Sequence, residues 1–96
     1  MLFIAFWTLG KNISNIEISK VAAEMMEKGK VPTEGVDVKE WLLCPGGKGI
    51  TVLEAESEAA AFRSYNVWAK AIPGFFDSYE LMPALQISDA IAIGME

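Results

Sequence analysis

Glu40 and Glu54 form the sharpest candidate pair for acid–base or metal chemistry. A hairpin register with Cys44 opposite Ile50 sets the two carboxylates face to face, on one side with Val38, Leu42, Ile50 and Val52. At a separation of ~5 Å and an effective dielectric near 20, their repulsion is about 3 kcal/mol, or roughly two pKa units. One carboxyl would then keep its proton near neutrality and serve as a general acid or base, or the pair would take a metal ion. A register shifted by two residues keeps the faces and parts the pair. A second group, Trp7, Trp41, Tyr65 and Trp68, could wall a pocket for a flat organic ligand, with Asn66 as a polar anchor. Tyr65 and Trp68 also fall on a helical stripe, where aromatic side chains commonly serve as plain core.

The other chemistry-bearing residues point away from catalysis. The chain has no His, which removes the usual general base, haem ligand and transition-metal ligand together. The single Cys44 excludes an internal disulfide, fits a reducing compartment, and has only Lys48 nearby as a cation. It is expected to pack as a small hydrophobe. No G-x-S-x-G occurs. Gly46-Gly47-Lys48-Gly49 lacks the spacing of a phosphate loop and joins strand to strand, so no helix N-terminus would meet a phosphate. No closely spaced acidic motif suits Mg²⁺ or Ca²⁺. No metal and no cofactor are expected.

Charge narrows the partners. Lys and Arg total 8 against 13 Asp and Glu, a net charge of −5. Such a chain is a poor ligand for phosphate backbones and for anionic membrane surfaces. The apolar run Met1–Trp7 lacks a basic flank and a small-residue cleavage site, and is too short to span a bilayer. A cytoplasmic protein that contacts neither nucleic acid nor membrane is expected. With 96 residues the chain makes one domain, residues 1–96, and its 52% hydrophobic content suits a protein that hides apolar surface in an interface as well as in a core.

Apolar patterning sets the helices and strands that carry these residues. Residues 2 to 8 read as a buried strand, apolar at both parities. Ser14 and Glu17 stand at capping-box spacing, with Ile13 and Ile18 at staple positions, and open a helix whose stripe is Ile18, Val21, Ala22 and Met25. Gly29 and Pro32 close it. Val36–Cys44 and Ile50–Ala55 form a hairpin about Pro45–Gly49. Ser57 caps a second helix to about Lys70, with a stripe of Ala61, Phe62, Tyr65, Trp68, Ala69 and Ile72, and Pro73-Gly74 stops it. Phe75–Met82 is a fourth strand, which Pro83 marks as an edge or an ending. Residues 86–96 remain as a C-terminal helix or arm, with Ser88 as a cap for Asp89–Ile93.

Right-handed crossovers turn this order into a ferredoxin-like βαββαβ sandwich, an α+β fold with sheet order 4-1-3-2 and both helices on one face. The other face then lies open. Four strands at ~4.8 Å spacing and ~17 Å length give a flat area of roughly 300 Å². That is at the limit of what a monomer usually leaves bare, so a second copy packed sheet to sheet is expected, as a homodimer or a higher oligomer.

Several short segments carry a resemblance. The element order, Val38-Lys39-Glu40-Trp41, Val52-Leu53-Glu54-Ala55-Glu56, Trp68 and Leu81-Met82-Pro83-Ala84-Leu85 resemble a family of small proteins with a domain of unknown function, similar to a branch of the dimeric α/β-barrel superfamily. The resemblance implies two sheets paired across a dimer axis and a pocket between sheet and helices. Superfamily members include cofactor-free monooxygenases, haem enzymes, isomerases, sugar-epimerising proteins and ligand-sensing domains, and fold alone does not choose among them. The branches that depend on His have nothing here to carry them. Three functions stay open: a homodimeric small-ligand-binding module; a cofactor-independent oxygenase- or isomerase-like enzyme with Glu54 and Glu40 as acid and base; and a structural or interaction protein whose open sheet recruits a partner.

Overall fold

The apolar N-terminal run forms β1 (Leu2–Leu9) at the centre of a sheet in the computed structural model, which describes residues 1–96. The chain continues through α1 (Asn15–Glu27), β2 (Val36–Cys44), β3 (Lys48–Ala55), α2 (Glu58–Ala71), β4 (Phe76–Ala84) and α3 (Ile87–Gly94). The strands form one antiparallel sheet in the order β2-β3-β1-β4. This is an α+β, ferredoxin-like fold with the expected strand order. No helix is long and apolar enough to cross a membrane.

Both helix starts are built by serines. The Ser14 hydroxyl accepts from the Glu17 N–H at 3.1 Å, and the Ser57 hydroxyl accepts from the Ala60 N–H at 3.1 Å. Each satisfies a backbone donor that the first helical turn leaves unpaired. Gly29, at φ +68°, follows the end of α1 in the left-handed conformation that only glycine takes freely.

The core falls into two parts. Ala60 and Ala61 let α2 approach the sheet closely over Phe3, Leu53 and Ala55. Ile18 and Met25 of α1 pack with Trp68 and Phe75 in the second part. Phe62 is 62% exposed, contrary to its expected place on the buried stripe. The contact line of α2 runs through the alanine pair to Trp68 and leaves Phe62 outside it, edge-on to Tyr65.

On β1, Phe3, Ala5 and Trp7 are buried toward the helices. Leu2, Ile4 and Phe6 point the other way, and Phe6 is 45% exposed. The facing residues of β3 and β4 extend this second surface: Ile50, Val52, Met82 and Ala84 lie opposite Phe6, Ile4 and Leu2. The strand is thus apolar on both sides, and its second side is uncovered within the chain.

The β2–β3 register differs from the one that pairs Glu40 with Glu54. Cys44 lies opposite Lys48, Glu40 opposite Val52, and Glu54 opposite Asp37. A three-residue loop, Pro45-Gly46-Gly47, closes the hairpin, with Gly46 and Gly47 at φ +97° and +80°. That tight closure shifts the ladder by two residues. A bulge between Val38 and Glu40 then adds one residue to β2. It sends Val38 and Trp41 to the helix side, while Glu40 and Leu42 take the open side, so Val38 does not share the carboxylates' side.

α3 also departs from expectation. It begins at Ile87, ahead of Ser88, and its N-cap Gln86 makes no side-chain cap bond. No residue of α3 is buried. The longest dimension of the molecule is 50 Å and its radius of gyration 14.7 Å, against ~12.5 Å for a compact chain of this length.

Candidate functional site

A cavity of about 530 Å³ lies between α1, β2 and the helix side of the sheet. Ile18, Ser19, Ala22 and Met26 of α1 face Val38 and Trp41 of β2 across it. Six aromatic side chains wall it: Trp7, Trp41, Trp68, Phe75, Phe76 and Tyr79.

Trp7 is held by its neighbours on β3. Its Nε1–H donates to Thr51 Oγ1 at 2.9 Å. The indole lies over Gly49, where an added Cβ would come within 2.2 Å of the ring. The glycine therefore supplies the space in which the indole lies flat on the sheet. Trp41 reaches the cavity because its partner Thr51 lies opposite the buried Ala5 on the helix side, and it meets Trp68 edge-on with ring centroids 5.3 Å apart. Trp68 continues to Phe75 at 5.2 Å, Phe75 to Phe76 at 4.9 Å, and Phe76 to Tyr79 at 4.8 Å. Edge and tilted contacts of this kind suit the ring quadrupoles and add to the stabilisation from burial.

The polar groups on the wall are few. Thr51, Ser19 and Ser64 carry hydroxyls. The Thr51 oxygen accepts from Trp7, which leaves its own O–H free to donate. Burial, and secondarily Tyr65, pushes the Tyr79 phenol up to about 12, so it stays neutral and keeps its O–H. Asp37 is the one carboxylate on the wall; it sits at the rim and pairs with Lys39 at 2.6 Å. The same hydrogen bond and charge hold the Lys39 ammonium above its ordinary range.

Of the four aromatic residues singled out from the sequence, Trp7, Trp41 and Trp68 come together on the cavity wall. Tyr65 lies outside that wall and supports it from behind, 4.6 Å from Tyr79 and stacked on Phe76 at 5.9 Å. Asn66 is half-buried and does not line the cavity. Glu40 and Glu54 are on the opposite face of the sheet and are not partners across the strands. Glu54 is 46% exposed and lies 3.3 Å from the Met1 amine. Cys44 is exposed at the hairpin end of the β2 edge strand, where it was expected to be packed. No group of three or more His, Cys, Asp or Glu side chains comes together as a metal site.

Tyr79, Phe76 and Thr51 are wall residues that the sequence reading missed. A signal for Tyr79 was present, since it shares parity with Leu81 on a strand with one covered face. Phe76 had none, because the β1–β4 ladder shifts at Thr8/Leu9.

A family model described as a domain of unknown function, DUF3303, matches residues 1–96. No curated protein matches the chain.

Proposed function

The chain belongs to the DUF3303 family along residues 1–96, and we propose that it is a homodimeric small-ligand-binding module of the dimeric α/β-barrel type. The observation that carries this reading is the aromatic cavity of about 530 Å³. Pockets for small organic molecules run from ~300 to ~1,000 Å³, with mostly apolar walls and a few polar groups that orient the ligand. Six rings, three aliphatic hydroxyls and a neutral phenol fit a flat, uncharged, largely aromatic molecule with an oxygen acceptor. A charged ligand would lose its hydration with no free ion to compensate it. The binding reading needs no acid–base step, and Glu40 and Glu54 lie across the sheet from the cavity. A purely structural role would leave the cavity without a use.

The homodimer rests on the open face of the sheet. Leu2, Ile4, Phe6, Leu42, Ile50, Val52 and Met82 form a continuous apolar surface there, with Glu40, Glu54 and Glu80 at its margins. An apolar centre with a polar rim is the anatomy of a protein interface. A second copy presents the same oily centre and buries it without recruiting another protein.

Titration of intrinsic tryptophan fluorescence with a neutral naphthol, and with a naphthalene sulfonate of the same ring size, tests the ligand class. The naphthol is expected to quench saturably and the sulfonate to have little effect. Ala22→Phe, which fills the cavity from α1, is expected to abolish the response. Equal binding of both probes, or binding unaffected by Ala22→Phe, would contradict the assignment.

A further inference from the structure

α3 poses a stability problem that its own chain does not solve. It has 8 residues, whereas isolated helices shorter than ~12–15 residues are marginal in water. It lacks a side-chain N-cap, and none of its residues is buried. Its side chains are nonetheless mostly apolar, with Ile87 75% exposed and Ile91 and Ile93 exposed as well, and Met95 just past its end is 83% exposed. A short helix of this kind holds its shape against an apolar surface, and α3 is buried against none in its own chain.

Position and area indicate what covers it. α3 follows β4, whose Met82 and Ala84 share the open face with Ile4 and Leu2. Leu85 and Ile87, both exposed, follow directly past the end of the strand. Four strands of 8 to 9 residues, at ~3.4 Å per residue and ~4.8 Å apart, give a flat sheet face of roughly 500 Å², which still falls short of the ~800 Å² per partner in a standard stable interface. Side-chain relief narrows the gap. An arm donated by each copy enlarges the interface twice over, once as the arm and once as its footprint.

We propose that α3 is a dimerisation arm that reaches out of its own chain and packs on the second copy, beside the paired sheets. The proposal rests on the sheet-paired homodimer and adds the element that completes its interface. Its occupant is a second copy of this chain, because the helix is an extension of the surface through which the copies pair.

Sedimentation equilibrium of the full chain and of an Ile87→Asp/Ile91→Asp variant tests it. Each buried apolar side chain is worth at least a factor of ten, and the double change removes two from each of two arms, so dimerisation should weaken by about 10,000-fold. A dimer of undiminished affinity in the variant would overturn the arm and leave the sheet pairing intact. A monomeric unsubstituted chain would overturn both. If the double variant misfolds, a spin label on Ser88→Cys in a Cys44→Ser background replaces it. Mixed with an isotope-labelled copy that has no spin label, it should broaden resonances of the labelled copy's open face. Broadening confined to the spin-labelled chain would place α3 on its own sheet and overturn the proposal. So would α3-dependent flotation of a monomer with phosphatidylcholine vesicles, which would assign the helix to a lipid surface.

Discussion

Trp7 is constrained by Thr51, which accepts its N–H at 2.9 Å, and by Gly49, whose missing side chain makes room for the indole. Thr51→Val keeps the shape and removes the acceptor, leaving a buried indole N–H unpaired. A stability loss of about 1–3 kcal/mol is expected, measured by urea unfolding, with weaker naphthol binding. Gly49→Ala places a methyl where the ring lies and should cost about as much through overpacking, with a blue- or red-shifted tryptophan emission as its signature. Unchanged stability and emission in both variants would contradict the described seat. Tyr79 adds a pH dependence. Its phenol sits near 10 when unfolded and about 12 when folded. The stability tied to the neutral phenol is fully present below about pH 10 and is lost as pH rises toward about 12. The loss is on the order of 1–2 kcal/mol after allowance for partial solvent contact. Tyr79→Phe should remove that part of the alkaline decline in the urea midpoint.

The elements show where sequence patterning reaches and where it stops. Ser14 and Ser57 were legible as caps because a hydroxyl before an apolar stripe has a local job, and both hydroxyls accept the expected N–H. Ser57→Ala should cost about 1 kcal/mol in unfolding free energy. Strand order was legible too, since crossover handedness leaves few alternatives. Register was not. It depends on loop closure at Pro45-Gly46-Gly47 and on the bulge at Lys39, neither of which changes which residues are apolar. Glu40 and Glu54 therefore lost their pairing, while Trp41 still reached the helix side. The bulge carries its own prediction. Deleting Lys39 joins Val38 to Glu40 and leaves a regular ladder from Leu53–Val38 through Thr51–Trp41. The deletion variant should stay folded and keep the near-ultraviolet circular dichroism of the Trp41–Trp68 pair. An unfolded variant would show that the extra residue is needed for closure. The cavity itself could not be read from spacing, because its wall is assembled from α1, α2 and all four strands, which meet only in the folded chain.

At the scale of the molecule, the helices cover one side of a sheet whose central strand is apolar on both. The uncovered side and α3 together account for many of the chain's exposed large hydrophobic residues. Phe6→Asp puts a charge at the centre of the open face, and burying it unpaired in a sheet-paired dimer would be strongly unfavourable. Sedimentation should show a folded monomer for this variant and a dimer for the unsubstituted chain. Dimers of equal affinity would place the interface elsewhere. On the proposed function, two copies come together and each encloses a small aromatic guest. Native mass spectrometry of the chain, gently purified from the cells that make it, reads both parts at once. A two-chain species is expected, with added mass from an organic molecule that departs on activation. A bare single chain at every concentration would contradict it.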